Sequence, residues 1–556
     1  MDHIITKHCP RTEFDSYEDF IENFRILTPE NFNFAYDVVD EWARVEPEKR
    51  ALVWCDDDEN EKILTFADMS ELSDRLAKSL TDLGIGKGDV VMAILRRRWE
   101  YWVLVTALCK MGAILIPGSI QLTKKDIVYR VDSAGVRAVV CVDDAYVVDQ
   151  MEAALPECDS VEHRVLVAGA RDGWIGFDSL LESAQEPWVR PTGEAGTRNQ
   201  DTMVIYFTSG TTGLAKMVRH DFTHPLGHII TARYWQQVKE DTLHLSVSDS
   251  GWAKFGWGKI YGQWICGATV FTYDMKKFVP ALLLEKIQRY GLTTFCAPPT
   301  VYRFMLQEDV SDFDLSSVEN WSTAGEPLNP EVTKQWQEHT GKKIREGFGQ
   351  TESVVLVATF PWIEPKPGSM GMPSPLYNIV LIGEDGKECE DGEEGEICIT
   401  GLKKAWPPGL FKGYYRDDML SQEAVGGEYY NTKDVAWRDS DGYFFFVGRN
   451  DDVIKCSGYR IGPFEVESAL IEHAAVVECA VTAAPDPVRG LVVKATVVLA
   501  KGWTASPELV KELQEHVKHT TAPYKYPRIV EFVSELPKTV GGKIKRAQLR
   551  HESGIE

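Results

Sequence analysis

"MVIYFTSGTTGLAKMVRH", Met203 to His220, is the stretch on which the reading of this 556-residue chain turns. It opens with apolar and aromatic residues that read as a buried strand. A run of Thr, Ser and Gly follows, and then a lone lysine, Lys216. Glycines let a backbone approach a ligand closely, hydroxyls and amide N–H groups donate hydrogen bonds, and lysine adds a positive charge. A polyphosphate suits such a loop. The common nucleotide loop is excluded, because it needs four residues between its glycines and then Gly-Lys-Ser/Thr. Here Gly210 and Gly213 are two residues apart, Ala215 precedes Lys216 and Met217 follows it. A Gly/Thr-rich surface turn is the alternative; so dense a run behind a buried strand favours phosphate.

The length exceeds one ordinary core, so at least two domains are expected. With 44% apolar and 26% charged residues the composition is globular, without low-complexity tracts or repeats. The net charge of −24 argues against nucleic acid as a partner. Residues 451–556 carry 14 basic and 14 acidic side chains, so the whole excess lies in residues 1–450. The eleven cysteines include no CxxC, and several sit in apolar runs such as "AVVCVD" and "EICITG". That predicts buried reduced thiols in a cytoplasmic protein, not metal ligands. "MDHIITKHCPRTEFDSYEDF" has acids and no long apolar region, so no signal peptide is expected. "YWVLVTALC" stops at Lys110, too short for a membrane span, and predicts a buried helix.

Apolar residues at Phe66, Met69, Leu72, Leu76, Leu80 and Leu83 predict an amphipathic helix ended by Gly84. "VVMAIL", "AILIPG", "RAVVCV" and "RVLVAG" follow between helix-like segments, a βα alternation that implies a parallel sheet. A second alternating series runs through "LHLSVS", "ATVFTY", "TTFCAPP" and "ENWSTAG". Around Tyr377–Gly401 the pattern changes to hairpins with Glu-Asp-Gly and Asp-Gly-Glu-Glu-Gly turns. After "GYFFFVGR" the polar quartet Arg449-Asn450-Asp451-Asp452 fits a linker. Beyond it the tail reads strand, turn, helix, two strands, helix, strand, helix. The expected architecture is α/β: a large N-terminal domain (1–450) with a β-rich subdomain, and a small α+β C-terminal domain (451–556).

Taken singly, the polar motifs beyond the loop have plain structural readings. "STAGEPLNP" (Ser322–Pro330) could be a strand-to-helix turn. In "EGFGQTE" (Glu346–Glu352), Glu352 could hold a hard cation such as Mg²⁺ or simply be solvated. "YYNTKDVAWRD" places Asp434 after a strand, where a carboxylate could accept ribose hydroxyls. "PKTVGGKIKRAQLR" (Pro537–Arg550) holds five cations and no acid, with Gly541-Gly542 presenting Lys543.

In combination they are specific. "TSGTTGLAK", "GFGQTE", "YNTKD", "GRNDDVIKCSGYRIGPFEVE" and "PKTVGGKIKR", in this order, closely resemble the adenylate-forming superfamily of acyl-CoA synthetases, luciferases and peptide-synthetase adenylation domains. The resemblance runs from about Phe66 to Arg550. Met217, His220 and "DSGWAKFGWGKIYGQWICGA" look most like the medium-chain acyl-CoA synthetase branch; Ala215 departs from the usual proline.

The resemblance implies an ATP-dependent acyl-CoA ligase. Thr208, Ser209, Gly210, Thr211, Thr212, Gly213 and Lys216 would close over the β- and γ-phosphates. Gly325, Glu326 and Pro327, with Glu346, Gly347 and Phe348, would line the adenine. Thr351 would reach the α-phosphate, Glu352 the Mg²⁺, and Asp434 and Arg449 the ribose. Arg460 would approach the phosphate side, and Lys543 would bridge the substrate carboxylate and the α-phosphate. Ser457 and Gly458 would guide the pantetheine of CoA, the acceptor. The small domain would be mobile, rotating between the half-reactions about Asp451. Expected partners are thus a carboxylic acid, ATP and CoA, with a homodimer left open.

Aromatic residues at Trp257, Tyr261 and Trp264 share a helical spacing. Tyr261 and Trp264 read as core. Trp257, placed near the start of that helix, is the candidate pocket wall, favouring short- to medium-chain or branched acids; Lys254 is either at the pocket or solvated. Aryl acids, or loading of a separate carrier protein, are the alternatives.

Overall fold

The computed structural model describes residues 3–184, 186–208, 215–456, 459–487, 489–538 and 544–555. The helix expected from Phe66 spans Phe66–Asp82, with Thr65 and Asp68 forming a reciprocal capping box at its start. Gly84, just past its end, takes φ 87°, which a side chain would disfavour. The helix Glu100–Met111 is buried on every side, which accounts for its uniformly apolar run. Among the described residues no helix is long and apolar enough to cross a membrane.

The quoted stretch belongs to a seven-stranded sheet. Its order is Ile175–Gly176, His163–Val167, Val136–Val142, Val90–Ile94, Ile114–Pro117, Thr202–Thr208 and Lys216–Asp221. All neighbours are parallel except the last two. Lys216–Asp221 turns straight back along Thr202–Thr208, pairing Thr208 with Lys216. The loop therefore joins two antiparallel strands, which leaves Thr208 and Lys216 side by side at its base. Ser209, Gly210, Thr211, Thr212 and Gly213 lie outside the described residues.

A thirteen-stranded sheet carries the second series. Six strands, from Arg50–Asp56 across to Ile344–Gly349, are mutually parallel. Beyond Ile344–Gly349 the pairing becomes antiparallel, through Val355–Ala358, Ser369–Pro373, Phe444–Arg449, Tyr429–Arg438, Glu394–Thr400 and Asn378–Ile382. These last strands are the expected β-rich portion.

One expected helix is two. Ala253–Lys259 and Tyr261–Ile265 are separated by Ile260 at φ −135°, ψ −77°. Trp257 thus lies in the last turn of the first helix, not near the start of a longer one. Close packing accounts for the glycines on either side of the break: a Cβ at Gly258 would collide with Ser246, and one at Gly262 with the His228 carbonyl. Tyr261 and Trp264 are core, as expected, and Trp264 Nε1 donates to the Ala51 carbonyl (3.0 Å).

From Pro463 on, the tail follows the expected order, and it has its own apolar core. Strands Val476–Asp486, Gly490–Leu499 and Ile529–Val533 form a sheet, with helices Pro463–Ile471, Pro507–Thr520 and Arg546–Glu552. A two-stranded hairpin, Ile454–Cys456 with Tyr459–Ile461, precedes it.

Candidate active site

Parallel strands leave their carboxyl ends together, and the crevice outside those ends is the usual ligand site of such sheets. Here a cavity of about 1230 Å³ opens there, where the large sheet switches from parallel to antiparallel. Val247, Pro298, Gly325 and Gln350, each just past the end of such a strand, line it. Phe464, Glu467, Ser468, Ile544 and Arg546 bring the C-terminal domain to its wall, and Asn329 Nδ2 donates to the Ser468 carbonyl (3.1 Å).

At one end stand Thr208, Lys216, Thr351 and Glu352. The turn holding Thr351 is fixed from behind by His220 on the lysine's own strand. Burial lowers the His220 pKa to about 4, so the ring is neutral and its Nε2–H donates to Thr351 O (2.7 Å). Glu352 is half-buried, and its desolvation raises its pKa. Its Oε1 accepts from Tyr414 Oη (3.1 Å), while the Lys216 charge acts on it without contact. An inward-facing carboxylate of this kind fits a hard cation. Among the described residues no three His, Cys, Asp or Glu side chains group as metal ligands, so such a cation would need oxygens from a bound phosphate and water.

Gly325, Glu326, Pro327, Glu346, Gly347 and Phe348 meet along the next part of the wall. Thr300 Oγ1 donates to Glu326 Oε2 (2.9 Å). Asp434 is held ready by Gln350, whose Nε2 donates both to its Oδ2 (2.5 Å) and to Thr432 O (2.8 Å). Tyr430 Oη in turn donates to Gln350 Oε1 (2.8 Å). Arg449 faces Asp434 across the strand pair. Gln350, Tyr430 and Tyr414 were not singled out from the sequence; Gln350 stands inside a quoted motif, and the two tyrosines adjoin others in "YYNTKD" and "GYYRD".

Glu346 gives a pH-dependent prediction. Burial raises its pKa to about 8, only partly offset by the Leu328 amide. The unfolded chain ionises this group near 4.5, so between those values the native state holds the extra proton and stability falls as pH rises. Glu346→Gln removes that slope. Its stability relative to the parent should rise by about 1.4 kcal/mol per pH unit from pH 5 to 8, then level off. Urea melts across that range measure it; a pH-independent difference would place the native carboxyl in its ordinary ionised state.

Trp257 forms a cavity wall, packed against Gly349, where a Cβ would strike its ring. Lys254 stands at the same cavity, its Nζ donating to the Ala324 carbonyl (2.5 Å). Arg460 departs from expectation: it pairs with Glu384 and with Glu394 (3.4 Å), and it does not line the cavity. The cause is the placement of the small domain, which presents Ile544 and Arg546 to the cavity and rests the Lys455–Arg460 hairpin on the Glu384 turn. Ser457, Gly458 and Lys543 lie outside the described residues. Asp451 lies in the turn after the strand Phe444–Arg449, its Oδ1 3.5 Å from Arg449 Nε.

The AMP-binding enzyme family model matches residues 39–415, and that of the AMP-binding enzyme C-terminal domain matches residues 465–543. The chain belongs to this family. Among AMP-binding enzymes, mouse (Mus musculus) "Acyl-coenzyme A synthetase ACSM3, mitochondrial" is 40% identical over 98% of this chain and 94% of its own. Human (Homo sapiens) "Acyl-coenzyme A synthetase ACSM4, mitochondrial" is 44% identical over 94% of this chain and 91% of its own. The anthranilate CoA ligase AuaEII, crystallised with anthranoyl-AMP, superposes with a TM-score of 0.86 at 27% identity, over 95% of this chain and 98% of that one. An acyl-CoA synthetase of Brucella canis does so at 0.73 and 30% identity, over 97% and 99%. The word mitochondrial in the relatives' names overturns the cytoplasmic expectation. All eleven cysteines are indeed buried. Burial of cysteine reports packing; it does not distinguish one reducing compartment from another.

Proposed function

We propose that this chain is an AMP-forming acid–CoA ligase, converting a carboxylic acid, ATP and CoA into acyl-CoA, AMP and pyrophosphate through an acyl-adenylate. The observation that carries it is the joint presence of Lys216, Thr351, Glu352 and Asp434 on one cavity at the carboxyl ends of parallel strands. A carboxylate attacking a polyphosphate brings like charges together, and such transfers are catalysed mainly by positioning and charge stabilisation. Lys216 at the base of the glycine-rich loop addresses the β- and γ-phosphates. The Gln350-oriented Asp434 accepts the ribose hydroxyls, with Arg449 beside it. Glu352 would hold Mg²⁺, which when bound neutralises phosphate charge. CoA thiolate then attacks the acyl carbon and AMP leaves. The compartment proposed is the mitochondrion, on the relatives' names.

The acid proposed is short- to medium-chain or branched, because Trp257 caps the pocket with an indole. Aryl acids are the second reading, favoured by that indole wall and by the likeness in fold to an anthranilate CoA ligase. The deciding experiment is AMP release over C2–C12 linear, branched and aryl acids, with and without CoA. CoA-dependent turnover supports the ligase; acyl-adenylate that accumulates and is not discharged by CoA would point to carrier loading. Trp257→Ala should shift preference toward longer acids, by at most about 1–3 kcal/mol per newly accommodated methylene. An unchanged chain-length profile would make Trp257 a core residue only.

A further inference from the structure

We infer that Tyr414 is a positioning residue for the cation-binding carboxylate: its hydroxyl orients Glu352 while its ring carries Lys216. The two opposite charges then face the nucleotide and do not pair with each other. This rests on the reading of Glu352 as the Mg²⁺ ligand.

Three observations converge. Tyr414 Oη donates to Glu352 Oε1 at 3.1 Å. Lys216 Nζ stands 5.4 Å from the centre of the same ring, within cation–π range. The segment around Tyr414 is also tied to both partners' backbones. Phe411 N donates to the Glu352 carbonyl (2.7 Å), Tyr415 N to the Met217 carbonyl (2.8 Å), and Tyr414 bridges to Val218. Tyr414 is nearly buried and borders the cavity, so its rotamer is held by packing.

The arrangement answers a chemical difficulty. A lysine and a glutamate facing one cavity would collapse into an ion pair, and each would then be spent on the other. Among the described residues no lysine, arginine or histidine nitrogen pairs with Glu352, although Lys216 is near enough for its charge to act there. Tyr414 lies between them, giving the carboxylate a neutral donor and the ammonium a π face. Because a phenol donor carries no charge, the carboxylate keeps its full attraction for a cation.

The test uses the full-length protein with ATP and Mn²⁺ as a paramagnetic stand-in for Mg²⁺, binding being read from water-proton relaxation. Tyr414→Phe keeps the ring and removes the donor. It should weaken Mn²⁺ binding about tenfold or more, with the affinity for metal-free ATP changed less than about twofold. On a Glu352→Gln background the same change should do nothing further. If Glu352→Gln weakens Mn²⁺ binding and Tyr414→Phe does not, the inference is overturned and the ligase reading stands. Additive losses in the double variant overturn it too, since Tyr414 would then act elsewhere. Should Glu352→Gln itself leave Mn²⁺ binding intact, the assignment of Glu352 falls first. A thermal melt of each variant separates lost folding from lost binding.

Discussion

Replacing Lys543 with alanine is expected to slow acyl-adenylate formation by about 10²–10³-fold, the usual loss of one preorganised charge donor. Thioester formation from a supplied acyl-adenylate should stay near the parent rate. The motive is chemical. The first step drives a carboxylate onto a phosphate, so a cation is needed between them; the second breaks an acyl–phosphate link with a thiolate. Three of the four other cations of this segment are paired elsewhere. Arg546 Nη2 is committed to both oxygens of Glu467 (2.7 Å each), Lys538 to Glu478 (2.9 Å), and Arg550 to Asp452. Ile544, the next residue in the chain, borders the cavity. Pyrophosphate exchange measures the first half-reaction, and CoA consumption with synthetic acyl-adenylate the second. Equal loss in both would contradict a role confined to adenylation.

That prediction comes from residues legible in the sequence, and the reason is instructive. Motifs whose chemistry depends on backbone and one charge, such as "TSGTTGLAK" and "GFGQTE", announce themselves through composition. The helix Phe66–Asp82 announces itself through its period and cap. What stayed hidden is relational. The return of Lys216–Asp221 along Thr202–Thr208 has no apolar–polar alternation to betray it, since Met217 and Val218 are consecutive apolar residues and the buried His220 and Asp221 are polar. The break at Ile260 leaves the aromatic spacing of Trp257, Tyr261 and Trp264 untouched, so no periodicity reveals it. Gln350 gains its meaning only beside Asp434, 84 residues on, and Tyr414 only beside Glu352. Arg460 was placed at the phosphates by analogy; its pairing with Glu384 depends on domain orientation, which no local pattern encodes.

Asp451→Pro should uncouple the two half-reactions, leaving pyrophosphate exchange near the parent rate while thioester release falls steeply. Asn450 is anchored to the large domain: its amide donates to the Lys433 carbonyl (2.9 Å) and its Nδ2 to Glu396 Oε1 (2.8 Å). Asp452 is tied to the small domain through Arg550, while its amide and that of Val453 donate to the Arg449 carbonyl (2.9 and 3.0 Å). Asp451 is the residue between, where a rotation would concentrate its φ/ψ change. Among the described residues its φ is not positive and its amide donates no hydrogen bond, so two demands of proline are met in this orientation. Here Ile544 and Arg546 face the cavity, and the Lys455–Arg460 hairpin rests on Glu384, which suits the adenylating step. Proline fixes φ near −65°, so a rotation about the Asp451 N–Cα bond becomes costly. Asp451→Ala, which removes the carboxylate and keeps the backbone free, should retain both rates within about threefold, because the Arg449 contact it loses is half exposed. Both half-reactions can be followed on one preparation, with a melting curve to confirm folding. A well-folded proline variant that still makes thioester at the parent rate would show that rotation about Asp451 is unnecessary, and the two-orientation mechanism would fail.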